Sequence, residues 1–455
     1  MGMSALAEVL AARGFRVSGS DICNSNRVKA LRNGGARIRL QQNAQAVSAL
    51  REASRNPPLV VTSSAIKDTN PELAALRSAG MEVIHRVDLL ASLLESHRRS
   101  VAVAGAHGKT TTSTILSTIL MDVGLDPTAV IGGIVPWFGS NGRQGCGDVV
   151  VAEADESDGT LVKLSPQIGI ITNLELDHTD HYSDLDHLVA TMAQFGANCK
   201  TLLTNGDCPL LRHHLPGTRQ WSLDGESPAH YRLSEIRCSS QGSWAVVHAG
   251  SQSLGPISFP LPGRHNLANL AAAMAAALEL GVPFSAVQKA CRTLRAPERR
   301  FEFHSIVDER LLVSDYAHHP SEVTATLSMA QLMVGNYQSK FPLVPRRVVV
   351  AFQPHRYSRT QAFFKEFSTV LATADSVLLL PIYGAGEKPI AGVNHHALAM
   401  AIEKAGGLVH SFESIEHLAE ELHSNTQPGD LVLAMGAGSI NRLPDLVRSP
   451  VPLAA

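Results

Sequence analysis

The chain has 455 residues, 44% of them hydrophobic and 18% charged, enough for sizeable cores and about three domains at ~150 residues each. Basic and acidic residues nearly cancel, 39 against 41, which excludes a disordered polyelectrolyte, and nothing in the balance advertises the basic face a nucleic-acid surface needs. No apolar run approaches the ~18 residues of a membrane span, and the opening MGMSALAEVLAARG lacks a signal-peptide pattern, so no membrane insertion is expected. Cys23, Cys146, Cys199, Cys208, Cys238 and Cys291 form no C-x-x-C pair and read as reduced, buried thiols of a cytoplasmic protein.

At the start of the chain, Ser4 is expected to cap a helix whose buried stripe is Leu6, Val9 and Leu10. A strand from Arg16 to Ser20 follows and ends at Asp21, a candidate substrate contact. This is the back half of a βαβ nucleotide-binding unit, so its first strand and Gly-rich turn are expected ahead of Met1. Further strands are predicted at Leu59 to Thr62, Val101 to Ala104, Val149 to Ala152, Ile168 to Thr172 and Thr201 to Thr204. Others follow at Leu311 to Ser314, Arg347 to Phe352, Ser376 to Leu380 and Leu431 to Ala434. Most are continuous apolar runs, as strands covered on both faces require, and helical stretches such as Gln361 to Thr373 separate them. The pattern is an α/β protein with mostly parallel sheets. Polar stretches at Glu95 to Ser100 and Glu298 to Arg310 suggest boundaries near 98 and 307, giving regions 1–98, 99–307 and 308–455.

Directly after the strand at Val101 stands Gly105-Ala106-His107-Gly108-Lys109-Thr110-Thr111-Thr112. A strand, a glycine turn, Lys-Thr and a helix make a phosphate cradle: backbone N–H groups face the anion, Lys109 neutralises it and Thr110 can ligate Mg²⁺. Its G-x-x-G-K-T spacing is shorter than the general P-loop, and an ordinary strand-to-helix turn is the alternative. Glu153-Ala154-Asp155-Glu156-Ser157-Asp158 follows the strand at Val149, where carboxylates suit Mg²⁺ held against phosphates; a bare acidic turn is the alternative. His178 and His181, in TNLELDHTDHY, are spaced H-x-x-H without further zinc ligands, so one histidine beside a hard divalent ion, or a surface histidine, fits better than zinc. Asn266 and Asn269 in GRHNLAN have amides suited to an adenine edge, and Arg299-Arg300 can clamp phosphate. Helix caps and solvated charges are the plainer explanations. Two polar loops, Asp315 to Glu322 (DYAHHPSE) and Gln353 to Thr360 (QPHRYSRT), follow strands of the last third and resemble an anion-stabilising surface.

Taken in order, from VSGSD through AVAGAHGKTTT, EADESDGT, TNLELDHTDHY, GRHNLAN, RRFE, DYAHHPSE, QPHRYSRT and IYGAGEKP to MGAGSI, these segments resemble the Mur ligases of peptidoglycan synthesis. The resemblance runs from residue 2 to about 441 and is nearest to the alanine-adding branch. It implies three domains: a UDP-sugar-binding Rossmann-like domain, here without its first strand, a central P-loop ATPase and a C-terminal Rossmann-like domain for the amino acid. It implies ATP and Mg²⁺, the substrates UDP-N-acetylmuramate and L-alanine, and a monomer or homodimer. It places ATP against Gly105, Ala106, His107, Gly108, Lys109, Thr110, Thr111, Asn266, Asn269, Arg300 and Asp315. It places Mg²⁺ at Thr110, Glu156 and His178, with Glu153 a substitute for Glu156. Tyr316, His318, Arg356 and Arg359 would line the alanine and acyl-phosphate site, and Lys109, His178, Arg356 and Arg359 would be catalytic. Three departures stand out: the turn G-x-G-G-x-G before GMS is absent, RTLRAPERR lacks the glycine commonly found before the arginine pair, and no lysine occurs from Thr179 to Cys199. The last agrees with the alanine-adding branch, which lacks the carbamylated lysine of its sister enzymes. Competing readings are a recycling ligase that attaches a tripeptide to the same sugar nucleotide, a ligase-like binding or regulatory protein, and a mechanical P-loop ATPase that would leave DYAHHP and QPHRYSRT without a role.

Overall fold

The computed structural model of the chain describes residues 2–45, 47, 58–178, 181–336 and 343–448. The first helix, Gly2–Ala12, buries Ala5, Leu6 and Val9, whereas Leu10 is only half-buried. Because the helix begins at Gly2, Ser4 lies inside it and is not its cap; the Ser4 hydroxyl sits 3.4 Å from Asn141 Oδ1 instead. The next strands are short: β1 (Ser18–Ser20) pairs with β2 (Arg37–Arg39), and β3 (Val60–Thr62) pairs with β4 (Val83–His85), as two separate parallel pairs. Glu72 ties the second pair's connecting helix to the first pair, accepting from Ser20 Oγ at 2.6 Å and Arg39 Nη2 at 2.7 Å.

The middle of the chain forms one sheet from β5 (Arg99–Ala104), β6 (Thr128–Val135), β7 (Ser140–Arg143), β8 (Val149–Glu153), β9 (Ile168–Ile171), β10 (Thr201–Asn205), β11 (Arg219–Ser222), β12 (Tyr231–Ser239), β13 (Gly242–Ala249) and β14 (Gln252–Phe259). Its order is β14-β13-β12-β11-β10-β9-β5-β8-β6-β7. The pairs from β6 through β8, β5, β9, β10 and β11 to β12 are parallel, and the two edges are antiparallel. Side chains alternate across a strand, so Val101 and Val103 of β5 face the helices Lys109–Asp122 and Arg264–Glu279, while Ala102 and Ala104 face Gly2–Ala12, Arg86–Glu95 and Leu185–Ala197. Both faces are therefore covered, which is why β5, β8 and β9 read as unbroken apolar runs.

The last third forms a second sheet from β15 (Glu302–Val307), β16 (Arg310–Asp315), β17 (Arg347–Phe352), β18 (Ser376–Leu379), β19 (Val409–Ser411) and β20 (Asp430–Met435), ordered β15-β16-β20-β17-β18-β19. All its pairs are parallel except β15 with β16. The charged stretch from Glu298 to Arg310 thus holds a strand, β15, which turns into β16 at Asp308 and Glu309. The helix expected from Gln361 to Thr373 is two helices, Tyr357–Ala362 and Phe364–Leu371, broken where Phe363 leaves helical geometry at φ −114° and ψ 27°. The six cysteines are free as expected, but Cys23 and Cys146 are exposed and only Cys291 is fully buried. No described helix is long and apolar enough to cross a membrane.

Candidate active site

The site forms where loops leave the C-terminal ends of β5, β8, β9, β16 and β17, the edge at which open α/β sheets bind ligands. The cradle after β5 depends on two glycines. Gly105 has φ +118° and lies against Thr172, and Gly108 has φ +85° and lies against the Asn269 amide, so a Cβ at either position would collide. Asn173 clasps the same loop, accepting from His107 N and donating to His107 O, both at 2.9 Å. The helix Lys109–Asp122 then starts with its N-terminus toward the cavity.

Lys109 Nζ donates to Gly105 O at 2.6 Å, to Ala106 O at 3.1 Å and to Glu156 Oε1 at 2.8 Å. Burial opposes its charge, but Glu156, Asp155 and Glu153 outweigh it and hold the ammonium above the ordinary lysine value. Burial raises the Glu156 carboxyl to about 7, with Asp155 adding and Lys109 opposing. Burial acts on Asp155 in the same direction, yet Lys109 and Arg86 prevail and keep it far below the usual carboxylate range; Arg86 Nη2 is 2.8 Å from Asp155 Oδ2. Thr110 Oγ1 lies 3.0 Å from Glu153 Oε2, which also accepts from Gly132 N at 2.7 Å. Tyr182 OH donates to Glu156 O at 2.6 Å and fixes that turn.

His178 has φ 55°, and its Nε2 is 3.8 Å from Glu156 Oε1. Burial, reinforced by Lys109 and Arg359, holds its imidazole below the normal pKa, in the neutral form a metal needs. His181 lines neither described cavity and packs edge-on against Tyr182, 4.7 Å between ring centres. Thr179 and Asp180 of the same motif lie outside the described residues. Beside His178, Asp177 accepts from Arg359 Nη2 at 2.9 Å through each oxygen.

Two cavities meet at the cradle. One, of about 470 Å³, is lined by Ala106, His107, Gly108, Lys109, Thr110, Glu153, Asp155, His178, Arg300, Tyr316 and His318, and from the N-terminal region by Arg27, Ser63, Ser64 and Arg86. The other, of about 350 Å³, is lined by Thr111, Asn266, Asn269, Arg300 and Asp315, with Asn205, Trp221 and His265. Among the expected residues, Asp21 lines neither; its carboxylate caps Cys23 N at 2.9 Å. Gly105, Glu156 and Arg356 also line neither, and Arg359 meets the first cavity only through Asp177. Asp315 is buried and accepts from Phe301 N and Ala317 N, both at 2.8 Å, so it locks the Arg300 loop to the Tyr316 loop beside the smaller cavity. Arg299 and Arg300 stack over Tyr316 at 4.7 and 5.4 Å.

Sequence reasoning assigned no role to Arg27, Arg86, Asp177 or Glu322. Asp177 and Glu322 stand inside quoted motifs, adjacent to or four residues from assigned histidines, whereas nothing in the local sequence marks Arg27. Glu322 receives His107 Nδ1 at 3.3 Å and His318 Nδ1 at 3.1 Å, joining the cradle to the Tyr316 loop.

Three family descriptions match successive stretches of the chain: the Mur ligase family catalytic domain at residues 1–98, the Mur ligase middle domain at 103–277 and the Mur ligase glutamate ligase domain at 299–438. A UDP-N-acetylmuramate–L-alanine ligase of Synechococcus sp. (strain RCC307) is 49% identical over 443 residues, covering 97% of this chain and 92% of the relative. One of Prochlorococcus marinus (strain MIT 9303) is 47% identical over 445 residues, covering 97% and 91%. The crystal structure of the UDP-N-acetylmuramate–alanine ligase MurC from Thermotoga maritima superposes with a TM-score of 0.81 at 26% identity, over 98% of this chain and 95% of that one. A murein peptide ligase from Psychrobacter arcticus shares the fold, with a TM-score of 0.71 at 21% identity over 99% and 98%. With its cradle, its two cavities and its full-length relatives in agreement, the chain belongs to the Mur ligase family.

Proposed function

We propose that the chain is an ATP-dependent ligase that joins L-alanine to the lactyl carboxylate of UDP-N-acetylmuramate through an acyl phosphate, in peptidoglycan precursor synthesis in the cytoplasm. The observation that carries the reading is the larger cavity, where the cradle of Lys109 and Thr110 faces Arg27 and Ser63 from the N-terminal region and Tyr316 and His318 from the C-terminal region. A nucleotide, a sugar nucleotide and an amino acid each have a region to hold them: residues 99–307, 1–98 and 308–455 in that order.

A carboxylate is a poor electrophile, so the reaction first gives it a leaving group. A lactyl carboxylate oxygen attacks the γ-phosphorus of ATP, and the bond to ADP breaks. The alanine amine then attacks the carbonyl carbon, phosphate departs with the oxygen it received, and the proton lost by the amine goes to the departing phosphate. Positioning and fixed cations do most of the work in such a transfer. Lys109 faces the transferring phosphoryl group, Asn266, Asn269, Arg300 and Asp315 surround the nucleotide, and Tyr316 and His318 face the acceptor. Arg359 acts at the acceptor side through Asp177.

The donor set suits Mg²⁺. Glu156 Oε2 is buried without a hydrogen-bond partner among the described residues, close to a neutral imidazole at His178, and the Thr110 hydroxyl sits against a carboxylate. Thr110, Glu156 and His178, with Glu153, would hold it. Bound there, the ion would neutralise charge on the phosphates. The reading is tested by steady-state ADP release with each substrate omitted in turn: sustained turnover must require UDP-N-acetylmuramate and L-alanine together. Turnover with a tripeptide acceptor in place of alanine would move the chain to the recycling reaction, and equal ATP hydrolysis without either substrate would remove the ligase reading.

A further inference from the structure

Away from both cavities, His395, His396 and Glu413 converge at the C-terminal edge of the last sheet. Asn394 caps the helix His395–Lys404, accepting from Ala397 N at 2.8 Å, and this fixes the first turn that carries both histidines. Glu413 lies just past β19, in the turn before the helix Ile415–Glu420. The Glu413 carboxylate oxygen Oε1 is 3.8 Å from His395 Nε2 and 3.2 Å from His396 Nε2, and the two rings are 4.0 Å apart, tilted by 34°.

A carboxylate suits a helix N-terminus without any metal, and that alone would account for Glu413. It does not account for His395, which is 7% exposed and whose Nε2 has no hydrogen-bond partner among the described residues. A buried polar atom without a partner calls for one. We propose that His395, His396 and Glu413 form a site for a borderline divalent transition metal of the Zn²⁺, Co²⁺ and Ni²⁺ class, separate from the phosphate-binding centre. Bonds of ~2.1 Å from imidazole nitrogen and carboxylate oxygen at tetrahedral angles put ligand atoms about 3.4 Å apart. The observed 3.8 and 3.2 Å need adjustments of a few tenths of an ångström. Two imidazoles and one carboxylate select this class over Mg²⁺ or Ca²⁺, which prefer oxygen. The ion would clip the start of one helix to the end of β19, at a sheet edge held otherwise by three strand residues.

The test is Co²⁺ titration of the full chain in excess Mg²⁺, followed by absorption and calorimetry, for wild type, His396→Ala and Glu413→Gln. Both altered side chains are more than half exposed, so the variants should fold and keep their ligase activity. The expected result is one fewer tight equivalent in each variant, or that equivalent weakened at least tenfold, with the tetrahedral Co²⁺ bands lost. Identical titrations for the three proteins, or a loss in only one variant, would overturn the site.

Discussion

Arg359 and Asp177, 182 residues apart in the chain, form a buried two-pronged ion pair between the C-terminal and central regions, with three hydrogen bonds of 2.9 to 3.0 Å. Their side chains are 5% and 10% exposed. Burial disfavours the Asp177 charge, but Arg359, His178 and His318 overcome it and hold the carboxyl well below the usual range. Removing one partner of such a pair leaves an uncompensated charge and costs roughly 3–5 kcal/mol. Asp177→Ala is therefore expected to lower the thermal midpoint clearly, and Asp177→Ala with Arg359→Ala to recover part of the loss. Equal melting of the single and double variants with wild type would show the pair to be energetically idle.

Lys109→Met keeps most of the side-chain volume and removes the charge proposed to face the transferring phosphate. Loss of a fixed charge-stabilising donor typically lowers kcat by about 10²–10³-fold. The fold should persist, because Glu156 can take up a proton once its cation is gone. The check is kcat beside a thermal melt, and a variant within tenfold of wild type would exclude the assigned role.

His178→Ala should raise the Mg²⁺ concentration for half-maximal activity while leaving the KM for alanine nearly unchanged, since the imidazole borders Glu156 and its orphaned oxygen. Glu156→Gln should shift the same titration more strongly. An unaltered Mg²⁺ curve for His178→Ala would take that residue out of the metal shell.

His107 bridges the cradle to the last domain, with Nε2 2.9 Å from Glu175 and Nδ1 3.3 Å from Glu322. Burial opposes its protonation, but the two carboxylates prevail and raise its pKa to about 9. A histidine raised above its free value of about 6.5 contributes stability that is complete below that value and fades as pH rises through the folded one. The difference in melting temperature between wild type and His107→Ala should thus be largest near pH 6 and shrink as pH passes about 9. A difference that grew with pH would contradict the assignment.

The parallel strands starting at Val101, Val149, Ile168, Thr201, Leu311, Arg347, Ser376 and Leu431, and the cradle, were legible because burial on both faces writes itself as apolar runs and the glycine turn as a spacing, whereas the parallel strands Thr128–Val135, Arg219–Ser222 and Val409–Ser411 were missed. The antiparallel strands at both edges of the central sheet were not legible either. Tyr231–Ser239 alternates buried and exposed positions and carries Glu235, Arg232 and Arg237, so it lacks the apolar signal of its neighbours. Glu302–Val307 was hidden in the same way inside charged sequence. The motifs named most of the cavity walls, yet the pairs that close the site, Arg359 with Asp177 and Ser321 with Glu175, join segments far apart in sequence, and no local spacing encodes them. Arg356, assigned to the acceptor site by its motif, has Nη1 3.8 Å from Glu387, a partner its motif does not announce.

The central claim, that the lactyl carboxylate is activated as an acyl phosphate, is tested most directly by oxygen transfer. UDP-N-acetylmuramate labelled with ¹⁸O in both lactyl carboxylate oxygens is turned over with ATP and L-alanine, and the released phosphate is analysed by mass spectrometry. The account predicts one ¹⁸O in each phosphate released, because the oxygen that attacked phosphorus leaves with it when alanine attacks carbon. Phosphate carrying no ¹⁸O, alongside full formation of the amide, would contradict it.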